Sequence, residues 1–365
     1  DESVAQKGLL SRLGGDEFGI LMASTNSDEA FILATRLLNV VSDFRFMWEN
    51  KVFSLGVSIG LVERTKEIDT PEQMMSMADA ACYIAKERGR NQIHQYSSTD
   101  ISTKRYENEL NWLAHINNAV ENDRFCLFYQ HYQPLHEIAK GHHYELLIRM
   151  VTEDNQLVQP GAFLPAAERY SLGAKVDRWV IHHYFEWLNN NPTHSNELVT
   201  CNINLCGQSL ADRDFKLFVL NAFEKFSIPY SKICFEITEG MAIIKMEETL
   251  EFIKTFRQLG CTFALDDFGS GFSSYGYLKQ LPVQFVKIDG AFVRDLLTDP
   301  IDLAMVRSIN DVAKAIGMKT VAEFVESTEI KVQLGKMGVD FAQGYGIALP
   351  APLTEFLAFG HKKPS

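Results

Sequence analysis

ICFEIT at Ile233–Thr238, a helical stretch over Met246–Leu259 and CTFALDD at Cys261–Asp267 decide the fold of this chain. The two apolar runs are strand-like in length and content, and the stretch between them is helical, which makes a strand–helix–strand unit. The same alternation extends in both directions. The remaining strand-like runs are FCLFYQ (Phe125–Gln130), YELLIRM (Tyr144–Met150), TCNINL (Thr200–Leu205), QFVKID (Gln284–Asp289), KTVAEF (Lys319–Phe324) and DFAQGYGIAL (Asp340–Leu349). Helical stretches at Ala166–Asn189, Phe215–Phe226, Asp302–Ala315 and Thr328–Lys336 lie between them. About eight such units over roughly 250 residues predict an α/β fold of the (β/α)₈, TIM-like barrel type, with a doubly wound open sheet as the alternative.

Nearly every strand run carries, at or near its end, a polar residue that has no place in a core: Gln130, Glu145 with Arg149, Asn204, Glu236, Asp266 with Asp267, Lys287 with Asp289, Glu323 and Gln343. Barrel enzymes gather their chemistry at the C-terminal ends of the strands. Taken singly, each acid reads more readily as a solvent-facing strand end; the joint pattern does not. Glu145, Asn204, Glu236, Asp266 and Asp267 are oxygen ligands, and carboxylates converging in one mouth repel unless cations relieve them. All-oxygen ligation without His or Cys selects Mg²⁺ or Mn²⁺ over zinc. Asp266 and Asp267 are neighbours, and where the pleat breaks both can face the mouth and one can bridge two ions. Two metals suit an in-line phosphoryl displacement, with Lys287 and Arg149 supplying positive charge for the phosphate. Asp267-Phe268-Gly269 also spells the D-F-G of protein kinases, but no H-R-D loop or glycine-rich ATP loop accompanies it.

The bulk numbers bound the rest. With 365 residues, 46% of them hydrophobic, the chain is long enough for two cores. The formal net charge of −12 gives no broad attraction for a nucleic-acid polymer, so a phosphate site must be built locally. The six cysteines form no C-x-x-C pair and read as buried, reduced thiols of a cytoplasmic protein. No run is long enough to cross a bilayer and no signal peptide is visible. The chain opens at Asp1 in mid-pattern and reads as a fragment, with room upstream for a sensor or an inner-membrane anchor.

Three segments are expected. Residues 1–97 read as a truncated small α/β unit: Ser11–Leu13 and Phe18–Leu21 flank Gly14-Gly15-Asp16-Glu17 as a hairpin, a helix follows over Ser27–Val41, Phe53–Leu61 is a strand, and Pro71–Glu87 is a helix ended by Gly89. Residues 98–123 comprise a polar linker and a helix from Arg105 to Asn122, whose Leu110, Leu113, Ile116 and Val120 stripe suits bracing the domains or pairing with another copy. Residues 124–365 are the barrel.

These residues carry a resemblance. DDFGSGFSSYGYLKQLPVQFVKID (Asp266–Asp289), with YELLIRM, NINLCGQSL (Asn202–Leu210), FEITEG (Phe235–Gly240), VAEFVES (Val321–Ser327) and QGYGIALP (Gln343–Pro350), resembles the EAL-domain phosphodiesterases from about Asn108 to Pro352. The resemblance implies a (β/α)₈ barrel that hydrolyses cyclic-di-GMP to linear pGpG with two metal ions. It places metal ligation on Glu145, Asn204, Glu236, Asp266, Asp267 and Glu323, catalysis on Lys287, Glu323 and Glu145, and substrate contacts on Gln130, Arg149, Gln343 and Asp289. Glu326 is implied as a supporting group, and Glu239 as the residue that steadies the Asp266–Tyr277 loop. A homodimer is implied as well. Leu146 replaces the alanine of E-A-L, Cys206 stands where serine is common, and Phe324 replaces the glycine of E-G-V-E, where a bulky ring threatens Glu323.

RLGGDEFGIL (Arg12–Leu21) and ADAACYIAKERGRNQI (Ala78–Ile93) resemble the second half of a GGDEF domain, the diguanylate cyclase fold. The resemblance assigns metal binding to Asp16 and assistance to Glu17, but the second metal aspartate and the guanine-reading residues belong to the half ahead of Asp1. Ala5 and Gly8 occupy the R-x-x-D inhibitory positions. As it stands this unit is not expected to cyclise GTP, and a complete domain of this kind would bind it. The competing functions are a non-catalytic cyclic-di-GMP receptor and, in a longer protein, a bifunctional cyclase/phosphodiesterase.

Overall fold

The computed structural model describes residues 8–14, 17–23, 25–48, 51–65, 70–97, 112–136, 141–269 and 275–356. The chain divides into two compact units, Asp1–Asn111 and Trp112–Ser365.

In the first unit β1 (Gly8–Gly14) and β2 (Glu17–Met22) form an antiparallel hairpin, with Gly15 and Asp16 of the turn outside the described residues. A helix at Ser27–Asp43 is capped by Asn26, whose Oδ1 accepts from Glu29 N at 2.9 Å. The run expected as one strand over Phe53–Leu61 is two. β3 (Arg45–Trp48) pairs antiparallel with β4 (Lys51–Ser54), while β5 (Ile59–Leu61) pairs parallel with β6 (Ile93–Gln95). The run changes partner midway, and residues 55–58 belong to neither strand. The Pro71–Glu87 helix opens with a Thr70–Gln73 capping box and buries Ala80, Ala81, Ile84 and Ala85. It lies so close to β5 that a Cβ on Gly60 would sit 2.2 Å from Ala78 O.

The second unit begins with helix 112–121. Its expected start at Arg105, Leu110 and the linker at 98–104 lie outside the described residues. Leu113, Ile116 and Val120 pack into the core of this same unit. The barrel consists of β7 (Phe125–Pro134), β8 (His142–Val151), β10 (Leu198–Asn204), β11 (Ile233–Thr238), β12 (Thr262–Phe268), β13 (Phe285–Ile288), β14 (Lys319–Ala322) and β15 (Phe341–Gln343), and β7–β8 pairing closes it. The short β9 (Leu157–Val158) extends β8, and β16 (Ala351–Pro352) extends along β7.

All eight barrel strands fall where the sequence puts them, but β7 runs antiparallel to both β8 and β15. The reason is the connection. Parallel neighbours need a crossover of a dozen residues or more, and only 135–141 separate β7 from β8. β7 therefore descends from the mouth while the other seven strands rise to it. Two further expectations change. The helix over Ala166–Asn189 is broken at Ser171 (φ 58°) into Pro160–Arg169 and Gly173–Asn190. DFAQGYGIAL is strand only at Phe341–Gln343, after which Gly344 (φ 150°) turns the chain against Val325, where a Cβ would lie 2.2 Å from Val325 N.

Strand alternation sorts the side chains into two layers. Outward residues such as Ile148, Ile203, Phe235, Ile237, Leu265 and Ile288 join the helices in one large core. Inward residues include a small separate cluster of Tyr132, Val321 and Phe341 with Phe285, which floors the barrel. Two residues nearer the mouth than Tyr132, Phe285 and Phe341, on the same face of each strand, stand Gln130, Lys287 and Gln343.

Candidate active site

Lys287 of β13 is the hub. It is 1% exposed, and its Nζ lies 2.8 Å from Glu323 Oε1, 2.9 Å from Glu236 Oε2, 3.0 Å from Asp266 Oδ1 and 3.3 Å from Glu145 Oε2. These four carboxylates come from β8, β11, β12 and the residue after β14. The parallel register brings them level: Asn204 stands beside Glu236, Thr238 beside Asp266, and Glu323 N donates to Ile288 O at 3.2 Å. Glu145 accepts from Asn204 Nδ2 and Gln343 Nε2, both at 2.6 Å. Gln130, across from Glu145 on β7, donates to Ala348 O at 2.9 Å and accepts from Gln343 Nε2 at 3.4 Å.

The two neighbouring aspartates share the mouth because β12 breaks its register with β13 between Leu265 and Phe268, where Asp267 adopts φ 54°. Asp266, Asp267 and Glu323 each offer a ligand oxygen within 4.8 Å of the others. Beyond the break, Gly269 N donates to Glu239 Oε2 at 3.0 Å and the Tyr277 hydroxyl donates to Glu239 Oε1. Buried Glu239 thus holds both flanks of the 270–274 segment, which lies outside the described residues.

Arg149 lies on the same face of β8 as Glu145, about 13 Å nearer the mouth at a strand's rise. Its Nη1 donates to Ile148 O at 2.8 Å and its guanidinium stands 5.2 Å from the Phe128 ring centroid. Asp289 spends Oδ1 on Ala291 N at 2.7 Å, capping the turn Gly290–Val293. Glu326 is exposed. Phe324 (φ 51°) does not displace Glu323, which keeps its contact with Lys287. The ring rests on Gly290, where a Cβ would lie 2.1 Å from Phe324 Cδ2, and Arg294 covers it at 4.4 Å.

Residues 114–350 match the EAL domain family model, and residues 1–92 match that of the diguanylate cyclase GGDEF domain. The chain belongs to the EAL domain family. It is 38% identical over 349 residues to cyclic di-GMP phosphodiesterase PdeB of Shewanella oneidensis, covering 95% of this chain and 40% of PdeB. The chain thus spans about two fifths of that relative's length. A solved structure of the MucR phosphodiesterase of Pseudomonas aeruginosa in complex with c-di-GMP superposes with a TM-score of 0.63 at 28% identity, covering 67% of this chain and 99% of that one. The FimX EAL domain from the same organism, bound to c-di-GMP, gives 0.61 at 27% identity, covering 66% and 96%.

The electrostatics of this EAL barrel follow from one ammonium facing four carboxylates. Burial opposes the Lys287 charge, but Asp266, Glu145, Glu236 and Glu323 together hold it protonated well above the usual lysine range. Burial pushes the Glu236 carboxyl well up, because it is the deepest of the four and one ammonium cannot neutralise them all. Burial pushes Glu323 up to about 8. Glu145 is also buried, yet Lys287, Gln343 and Asn204 outweigh that and lower it. Desolvation, with Asp266 and Asp289 nearby, brings Asp267 up to about 6. Such a set is short of positive charge. Asp266 Oδ1 is buried without a hydrogen bond of good geometry, its 3.0 Å approach to Lys287 being ionic alone. Oxygen donors in excess of cations fit hard divalent ions, and among the described residues no His or Cys joins them.

Two residues of the site were not visible as such in the sequence. Asn202 Nδ2 donates to Glu236 Oε1 at 2.6 Å, and the Tyr132 hydroxyl donates to Asn202 Oδ1 at 3.0 Å. Asn202 sits two residues before Asn204 on the same face of β10, and that period-two spacing was the available signal.

Proposed function

We propose that this chain is a metal-dependent cyclic-di-GMP phosphodiesterase that opens one phosphodiester bond to give linear pGpG. The observation that carries this reading is the ring of buried carboxylates around Lys287, with Asp266, Asp267 and Glu323 converging within 4.8 Å. It is supported by membership in the EAL family and by the c-di-GMP complexes of its structural relatives.

Glu145, Asn204, Glu236, Asp266, Asp267 and Glu323 would hold two Mg²⁺ or Mn²⁺ ions. When bound, such ions supply Lewis acidity and a hydroxide-like water for attack on phosphorus. Lys287 keeps the carboxylates apart and in place, and its N–H groups orient the attacking water and steady charge as the P–O bond breaks. Arg149, partly desolvated and stacked near Phe128, offers its guanidinium to the phosphate. Gln343 Oε1 is buried without a hydrogen bond among the described residues and accepts from a substrate hydroxyl or water. Gln130 fixes Gln343 from the neighbouring strand β7, and Asp289 contributes at the rim. A homodimer of this EAL unit is part of the proposal. GTP binding at a complete GGDEF domain is part of the proposal as well.

The test is turnover of cyclic-di-GMP by the purified chain with Mg²⁺ or Mn²⁺, with chelator, and after Glu145→Gln. Hydrolysis that needs the ion and vanishes in the variant supports the proposal. Tight binding without hydrolysis under every metal condition refutes it and leaves a receptor.

A further inference from the structure

At the floor of the barrel, Tyr132 is 4% exposed and packs with Val321, Phe341 and Phe285. A phenylalanine would fill that space equally well. The one extra atom of Tyr132, its hydroxyl, donates to Asn202 Oδ1. Asn202 is 2% exposed and passes its own N–H to Glu236 Oε1, while Lys287 holds Oε2 of the same carboxylate at 2.9 Å. Asn202 turns Nδ2 toward Glu236 Oε1, and its carbonyl oxygen is left for a donor, which the phenol provides.

We propose that Tyr132 and Asn202 are positioning residues which lock the rotation of the Glu236 carboxylate and thereby set the affinity of the site for its divalent metal. With one donor on each oxygen the carboxylate cannot turn, and each oxygen keeps a lone pair for a cation. Without the phenol the Asn202 amide has no reason to hold its orientation. Partners of this kind behind a metal ligand raise its basicity and fix its direction. The proposal rests on the reading of Glu236 as a metal ligand.

The experiment is titration of Mn²⁺, followed by the electron paramagnetic resonance signal of the free ion, on the wild-type chain, Tyr132→Phe and Asn202→Ala. Loss of an outer partner costs about 10- to 100-fold in metal affinity. Asn202→Ala is expected in that range, and Tyr132→Phe, one bond further out, at its lower edge. The metal-free proteins should melt alike, and at saturating Mn²⁺ the KM for cyclic-di-GMP should stay as in the wild type. Wild-type Mn²⁺ affinity in Tyr132→Phe overturns the proposal, as does a fall in melting temperature with no change in affinity. Tyr132→Phe carries the test if Asn202→Ala does not fold. If the wild type binds Mn²⁺ but never hydrolyses cyclic-di-GMP, the phosphodiesterase reading fails, and the relay is still decided by the affinities.

Discussion

Lys287 Nζ stands 2.9 Å from Glu236 Oε2, an ion pair sealed inside the barrel and shared with three further carboxylates. Removing one partner of a buried pair leaves uncompensated charge. Lys287→Met is therefore expected to destabilise the fold by about 3–5 kcal/mol at neutral pH, as well as to abolish hydrolysis. Urea unfolding of the metal-free protein measures the first effect. A variant as stable as the wild type would show that the ammonium does not offset the charge of the acids around it.

Gly290 is where Phe324 finds room. A methyl group there would overlap the ring, so Gly290→Ala is expected to destabilise by about 1–3 kcal/mol, the usual range for overpacking, and to reduce turnover by pushing residue 324 and with it Glu323. The double variant Gly290→Ala/Phe324→Gly should recover both, because glycine removes the ring and accepts φ 51° without strain. Phe324→Gly alone should keep full metal dependence. Additive losses in the double variant would separate Phe324 from Gly290.

Asp177 supports the turn after β10 from behind, accepting from Cys206 N at 2.8 Å and Ser209 Oγ at 2.6 Å. Burial pushes its carboxyl up from 3.8 to about 6. A raised folded-state value means that folding favours the protonated form. Its stabilising effect is full below about pH 4 and is lost as the pH rises through about 6. The shift corresponds to about 3 kcal/mol at 1.36 kcal/mol per unit. Asp177→Asn, which keeps an acceptor there without the charge, should remove that pH dependence and be more stable than the wild type at pH 8. The difference in unfolding free energy between the two proteins, taken at pH 4 and pH 8, measures it; a constant difference would contradict it.

The barrel and its acids were legible because both are periodic. Eight apolar runs at regular intervals, each bearing at least one polar residue, survive any error in the helices between them. The direction of β7 was legible only as a connection length, and the residue pattern of FCLFYQ gives no sign of it. Gln130 consequently reads as a strand-end residue, whereas it lies mid-strand on a descending strand, opposite Glu145. Tyr132 and Asn202 look like core filling and a spare amide until three strands are brought together, since β7, β10 and β11 are far apart in the chain. Phe324 shows the converse. Sequence reading sets its bulk against Glu323, and the positive φ that directs the ring onto Gly290 is a backbone property that no residue type announces.

The central claim is that this polar layer hydrolyses a cyclic dinucleotide. Its most direct test is mass analysis of the product formed from cyclic-di-GMP with Mn²⁺ in water enriched in ¹⁸O. The expected product is linear pGpG carrying a single ¹⁸O on its terminal phosphate, formed by the wild type and absent for Glu145→Gln. Unchanged cyclic-di-GMP recovered from a protein saturated with both metal and nucleotide would contradict it.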